Sequence, residues 1–226
     1  DQSGTFLMRG GLQNLEVNAV NIDEVEIEYA QVFDNNLIHF LNDNRSKRSY
    51  YYNYYNYDEE NENTDYDDYY YGYDLSNEYY LGNFGKSLSV ENVKLKNKTN
   101  WLNKFNVNIK DQLDQKYKGI YVVTVRSSKK RYISDAKIIS LSNLGIIAKS
   151  TPDEILVFVN EINTTESVSG AEVKIISDNN QVIFSGKTNS DGAIKFSDIK
   201  KNAEGFNPSL IIVEKDEDYN FLDLST

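Results

Sequence analysis

Apolar and polar residues alternate along much of the chain, as is typical of half-buried β-strands. Val25, Ile27 and Tyr29 occupy every second position, with glutamates between them. Because successive side chains of a strand point to opposite faces, this pattern predicts the apolar residues inward and the glutamates in water. The turn-forming run Asp34-Asn35-Asn36 follows, and Leu37 to Leu41 then predicts the start of a second strand.

Strand signals resume beyond residue 84. They comprise Leu88 to Leu95, Phe105 to Ile109, Ile120 to Val125, and Tyr132 to Leu141, the last as one long strand or a strand pair. Only Trp101 to Leu113 approaches a helical period, and its apolar residues fit alternation better.

The second half of the chain carries short strand signals at spacings of about ten residues, the pattern of an antiparallel sandwich. These are Ile155 to Val159, Ala171 to Ile176, Gln181 to Ser185, Ala193 to Phe196 and Leu210 to Val213. The first is an apolar run that fits a strand covered on both faces. Turns are predicted at Asp178-Asn179-Asn180 and Ser190-Asp191-Gly192, and both prolines are assigned to loops.

The pattern as a whole predicts an all-β protein of two tandem antiparallel β-sandwich domains, residues 1–141 and 142–226. A chain of 226 residues is long enough for two domains of ordinary size. An insertion interrupts the first domain at about residues 43–84, where 13 of the 18 tyrosines fall and almost no aliphatic residue occurs. Such a stretch cannot build a core, and sandwiches tolerate long loops because closure entropy grows slowly with length.

The composition of the chain argues against several classes of function. The formal charge of −11 opposes binding to nucleic acid and to anionic membranes. The absence of cysteine excludes disulfides, thiolate metal sites and cysteine nucleophiles. No apolar run is long enough for a membrane span, and no signal-peptide pattern is expected at the start of this sequence.

The second half resembles a macroglobulin-like (MG) domain of the bacterial alpha-2-macroglobulin family. The matching segments are Ser142 to Ile146, Glu154 to Asn160, Val168 to Val173, Asn180 to Val182, Thr188 to Gly192 and Phe221 to Leu224. Asn143, Ser167 and Asn189 depart from the family's usual aspartate, proline and aspartate. The first half is similar to the preceding module through Gly10 to Leu12, Val20 to Val25, Asn36-Leu37 and Gly119 to Tyr121.

This resemblance implies an exported periplasmic or cell-surface protein that traps proteases, with MG domains forming the scaffold. The partners it implies are adjacent MG domains of the same chain and, through the parent molecule, proteases. The family's bait segment and thioester are not recognisable here. The same small-sandwich motifs also occur in other modules, so a surface adhesin or a glycan- or protein-binding tandem that uses the tyrosine-rich loop is the alternative.

No catalytic, cofactor or metal site is predicted, and we do not expect an enzyme. His39, the only histidine, is interpreted as a core-edge residue. The acidic stretch Asp58 to Asp68 is the one oxygen-rich metal candidate, but it lacks the spacing of a calcium loop. Trp101 with Leu102 is interpreted as a core or inter-domain anchor. The tyrosine-rich insertion either contacts a partner or is a solvent-exposed insertion packed on its own domain.

Overall fold

The computed structural model describes residues 6–7, 9, 11, 13–45, 76–96, 98–114 and 116–224. In the first half the strands are β1 (Phe6–Leu7), β2 (Asn14–Ala19), β3 (Glu24–Phe33), β4 (Ser76–Asn77), β5 (Gly85–Lys94), β6 (Asn103–Asn108), β7 (Gly119–Ser127) and β8 (Ser134–Leu141). Residues 37–45 form a helix, α1. Two 3-10 turns span Asp34–Asn36 and Lys110–Gln112.

The second half contains seven further strands and one short helix. They are β9 (Leu144–Ser150), β10 (Glu154–Glu161), β11 (Glu172–Ser177), β12 (Val182–Lys187), β13 (Ala193–Ser197), α2 (Ile199–Asn202), β14 (Pro208–Lys215) and β15 (Asp218–Asp223). The predicted all-β class is therefore confirmed. Pro208 opens a strand instead of lying in a loop, a position where a missing N–H donor is tolerated.

The first half is built on a large sheet of order β1-β8-β7-β3-β5, to which β4 adds beside β8. The antiparallel pair β2-β6 covers one face of this sheet. Between these layers lies a core that includes Val25, Ile27 and Tyr29, which are at most 3% exposed. The alternation predicted for β3 is confirmed.

The second half is a seven-stranded sandwich. The sheet β13-β10-β9 faces the sheet β12-β11-β14-β15. Their shared core includes Val157, Val173 and Ile211, all fully buried. Leu156 and Phe158, on the other face of β10, are only half-buried, so the expectation that both faces of this strand are covered holds in part.

The prediction of a strand at Leu37 to Leu41 is wrong, because this segment belongs to helix α1. Its buried residues Leu37, Ile38, Phe40 and Leu41 recur with a spacing that fits one face of a helix. His39 falls on the opposite face and is exposed, so its interpretation as a core-edge residue is also wrong.

The structure corrects two further expectations from the sequence. The glutamates of β3 were predicted in water, but Glu26 and Glu28 are half-buried and paired with an arginine, as described below. Trp101 and Leu102 are 60% and 61% exposed, which rules out the core interpretation and leaves that of an inter-domain anchor.

Candidate functional site

Each sandwich has one sheet whose outer face is apolar as well as its inner face. On the first sheet, β7 turns Ile120 and Val122 outward, away from the residues that face β2 and β6. On the second sheet, Leu210 and Tyr219 point away from the inner core of that sandwich. An apolar outer face is unstable in water, so each sheet requires a cover.

Helix α1 is that cover for both sheets. Its apolar side chains join the two outer faces into a single cluster, which we call the interdomain core. The cluster consists of Ala30, Val32, Leu37, Ile38, Phe40, Leu41, Ile120, Val122, Ala136, Ile138, Ile176, Leu210, Tyr219 and Phe221. None of these residues is more than 9% exposed, so the two halves meet through a packed interior.

Phe40 lies at the centre of this packing. It is fully buried, and its ring centroid is 5.8 Å from that of Tyr79 and 6.4 Å from that of Phe84, the latter edge-on. Tyr79 and Phe84 belong to the segment that returns from the insertion. Both ends of the insertion are therefore packed into the interdomain core.

Asn44 ties these two ends together. Its side-chain amide donates to the backbone oxygens of Phe40 and Tyr80, at 2.9 and 3.1 Å, and its Oδ1 accepts from the Tyr80 amide at 2.6 Å. The side chain is buried, so these bonds replace lost contacts with water. The two described ends of the insertion, at Asn44 and Tyr80, are thus joined by hydrogen bonds next to the interdomain core.

Polar contacts surround the apolar centre. Asn42 Nδ2 donates to the Asp178 oxygen at 3.1 Å, and Asn180 Nδ2 donates to the Asn35 oxygen at 3.1 Å. Lys118 pairs with Glu214 at 3.2 Å, and Arg45 approaches Asp223 at 3.6 Å. The interface therefore has an apolar middle and a polar rim, the usual anatomy of a stable protein contact.

The connection between β8 and β9 is held by Asp218. Its carboxylate accepts from Ser142 Oγ at 2.8 Å and from the Asn143 amide at 2.9 Å. Arg9 reaches the same place, donating to the Leu141 oxygen at 3.0 Å and lying 3.8 Å from the carboxylate. Because Asp218 opens β15, this set of contacts fixes the connecting segment against the second sandwich.

A second ionic cluster lies farther along the outer face of the first sheet. Arg126 donates to both carboxylate oxygens of Glu78, at 2.6 and 3.0 Å, and also contacts Glu26 and Glu28 at 3.1 and 2.8 Å. Burial of Glu78 by itself would raise its pKa, but hydrogen bonds from Arg126 and Ser134 outweigh burial and lower it. This cluster attaches the returning end of the insertion to β3 and β7.

Tyr219 is the one phenol of the interdomain core, and its hydroxyl is buried with no hydrogen-bond partner among the described residues. Burial, with the nearby charges of Asp34 and Glu214, raises the pKa of Tyr219 well above its usual value. An unsatisfied buried hydroxyl costs free energy, whereas the ring contributes packing.

Replacing Tyr219 with phenylalanine is therefore expected to raise the free energy of unfolding by about 1 kcal/mol at neutral pH. The gain should grow as the pH rises past about 10, because the unfolded tyrosine then ionises while the folded one stays neutral. Urea unfolding at pH 7 and pH 10.5 measures both effects. The variant Tyr132→Phe, at a half-exposed position, is the control; equal changes in the two variants would contradict this prediction.

The remaining candidates from the sequence lie elsewhere. His39 is exposed on α1, outside the interdomain core. The acidic stretch Asp58 to Asp68 lies outside the described residues. Within the described part of the chain, no group of three or more His, Cys, Asp or Glu residues is placed to hold a metal ion. In the same part, no helix has the length and apolar character needed to cross a membrane.

Comparison with known proteins identifies the family to which this architecture belongs. Residues 1–138 match the model of the bacterial alpha-2-macroglobulin MG2 domain, and residues 141–226 match that of the MG3 domain. The chain belongs to the bacterial alpha-2-macroglobulin family.

Two relatives match part of the chain. An alpha-2-macroglobulin of Pasteurella multocida is 36% identical over 98 residues, which cover 43% of this chain. A homologue from Yersinia pestis is 29% identical over 92 residues, which cover 40% of this chain. Each match spans only 5% of the relative's length. The chain thus corresponds to a scaffold fragment of an alpha-2-macroglobulin-like protein.

Solved structures share the fold. A crystal structure of native Escherichia coli alpha-2-macroglobulin spanning domains NIE-MG1 has a TM-score of 0.68 at 18% identity, covering 95% of this chain and 90% of that one. A structure spanning MG0-NIE-MG1 has a TM-score of 0.64 at 17% identity, covering 99% of this chain and 62% of that one. At this level of identity the comparison bears on the fold alone.

Proposed function

We propose that this chain is a non-catalytic, rigid two-domain segment of an exported, protease-trapping inhibitor of the alpha-2-macroglobulin type. The observation that carries the proposal is the interdomain core, in which α1 packs against the outer faces of both sheets. Its domains are residues 1–141 and 142–226, with the insertion at about 43–84.

A trap needs parts that keep their geometry while other parts move. A small polar contact between domains would permit hinge motion, as most contacts between domains do. Here an apolar interior, the Asp218 contacts with the connecting segment and the bond from Asn42 to the Asp178 oxygen all oppose such motion. The segment is therefore suited to hold neighbouring domains at a set distance and angle. It supplies no catalytic residue to this process.

The partners that follow from this proposal are neighbouring MG domains of the parent polypeptide and, through the parent, proteases. With a formal charge of −11, the chain has no role in nucleic-acid binding. Removal of an apolar residue from the interdomain core should therefore weaken the action of the parent without touching any reacting group.

The test compares the parent protein with its Leu210→Ala variant, since Leu210 is 1% exposed in the interdomain core. The parent should co-elute with an added protease on gel filtration and block its attack on a large protein substrate; the variant should do so less well. Val182→Ala, at an exposed position of the same sandwich, is the matched control. The isolated chain should neither inhibit nor hydrolyse.

Two results would overturn the proposal. Hydrolysis by the isolated chain would show an enzyme. Retention of a defined glycan by the isolated chain, together with a parent that leaves proteases free, would instead favour the adhesin or glycan-binding alternative.

A further inference from the structure

The end of the first sandwich farthest from α1 has an unusual surface. Three connections meet there: residues 20–23 between β2 and β3, the described residues of 95–102 between β5 and β6, and residues 128–133 between β7 and β8. Backbone hydrogen bonds join them, from the Leu95 amide to the Asp23 oxygen and from the Ser128 amide to the Glu24 oxygen. We call this end the distal pole. Six residues of β3, Glu24 to Tyr29, separate the pole from Ala30 of the interdomain core, a distance of about 20 Å.

Large apolar side chains are exposed at the distal pole. Trp101 is 60% exposed, Leu102 61% and Val20 48%. Val20 directly follows Ala19, Leu102 directly precedes Asn103, and Ala19 pairs with Asn103, so Val20 and Leu102 are neighbours at this end of the β2-β6 pair. Exposed tryptophan and leucine beside one another are a costly arrangement for a surface that stays in water.

This apolar patch sits on rigid loops. The Asn103 side chain accepts from the Lys98 amide at 2.9 Å and donates to the Lys98 and Trp101 oxygens at 3.1 and 2.8 Å. Asn21 and Asn100 exchange two further hydrogen bonds, at 3.0 and 2.7 Å. The loop backbone that carries Trp101 is thus held in place before any partner arrives, which reduces the entropy lost on binding.

The charge of the distal pole is opposite to that of the chain. Its connections carry five cations and one carboxylate, Asp23, although the chain as a whole has a formal charge of −11. The cations are Lys96, Lys98, Lys129, Lys130 and Arg131. Lys98 lies 3.8 Å from the centre of the Trp101 ring. Lys96 and Lys130 are exposed and make no ion pair with any described residue.

We propose that the distal pole docks a neighbouring domain of the parent polypeptide, one that offers an apolar depression ringed by carboxylates. An exposed tryptophan at the centre and cations at the rim are what such an interface requires. The proposal rests on the proposed function, in which this chain is part of a multidomain protein.

Hydroxyl-radical footprinting with mass spectrometry tests the docking of the distal pole at the level of single residues. Trp101 is the only tryptophan of the chain, so its oxidation is readily assigned. We expect Trp101 to be oxidised at least about fivefold more slowly in the parent protein than in the isolated 226-residue chain, because a docked domain desolvates it. Equal rates in the two samples would overturn the proposal.

Charge reversal distinguishes docking from general crowding. In the parent, Lys96→Glu with Lys130→Glu should restore most of the Trp101 oxidation rate, since like charges would then face each other. The matched control is Lys149→Glu with Lys187→Glu, two exposed lysines of the second sandwich, which should restore none. Equal effects of the two double variants would contradict a carboxylate-ringed partner.

Occupants of the distal pole other than a neighbouring domain would give different footprinting results. Protection of Trp101 that rises with the concentration of the isolated chain would identify a second copy. Protection by vesicles of anionic phospholipid, but not in the parent, would identify a membrane. Either outcome would overturn the proposal. If Trp101 is protected in the parent while proteases stay free, the docking inference stands and the protease-trapping function fails.

Discussion

Replacement of Phe40 by alanine is expected to lower the free energy of unfolding by about 3–5 kcal/mol, the usual cost of removing a buried phenylalanine. Phe40 is fully buried in the interdomain core, against Tyr79 and Phe84. The cavity would form where α1 meets both sheets, so neither sandwich alone can close over it. Urea unfolding measures the loss.

The same change should also separate the two domains in calorimetry. Wild-type protein is expected to unfold in one transition, with equal calorimetric and van't Hoff enthalpies. In Phe40→Ala the shared interior is weakened, so the two sandwiches should begin to unfold separately. His39→Ala, one position away on the exposed face of α1, should change the stability by no more than about 0.5 kcal/mol. Comparable losses in the two variants would contradict the packing described for α1.

Replacement of Asp218 by alanine is expected to cost about 2–3 kcal/mol, since hydrogen bonds to charged groups contribute more than neutral ones. The carboxylate holds Ser142 Oγ and the Asn143 amide, and it neutralises part of the charge of Arg9. Its removal leaves the half-buried guanidinium and the backbone amide without that partner. Thermal unfolding, with urea titration for the free energy, measures the loss.

The neighbouring residue provides the control for Asp218. The Glu217 side chain is 69% exposed and pairs with the exposed Lys116, a surface contact of small value. Glu217→Ala should therefore leave stability within about 0.5 kcal/mol of wild type. A loss in Asp218→Ala no greater than this would show that the connection between the sandwiches is held by the apolar contacts alone.

Much of the fold could be predicted from the alternation of apolar and polar residues along the chain. Val25, Ile27 and Tyr29 fall inward as predicted because a strand places every second side chain on one face. Five of the seven strands of the second half, β10 to β14, lie where the apolar runs and turn residues predict them. The turn at Ser190-Asp191-Gly192 is also confirmed: Gly192 has a φ of +69°, a region that glycine adopts readily.

Helix α1 was missed because the apolar run that marks it is short and dense. Five residues, Leu37 to Leu41, look alike as a buried strand or as one face of a helix. The signal that separates them is the spacing: apolar residues at 37, 38, 40 and 41, with polar residues at 39, 42 and 43, fit the helical period. An acid at Asp34, just before the helix, adds to that signal.

The interdomain core could be predicted from the sequence only in part. The uninterrupted apolar run Leu210 to Val213 indicates a strand covered on both faces. It does not tell what lies on the second face, because that depends on where the other sandwich and α1 fold. The role of Asp218 is hidden for the same reason, since its partners lie 75 and 76 residues away in the chain.

Residual dipolar couplings of backbone amides in the 226-residue chain test the rigid two-domain unit most directly. Couplings from the described residues of the range 13–141 and from residues 144–224 should fit one alignment tensor, with the relative orientation given by the structure, because α1 packs both sheets into one interior. Two tensors of different magnitude would show domains that move independently, and would contradict the shared interdomain core.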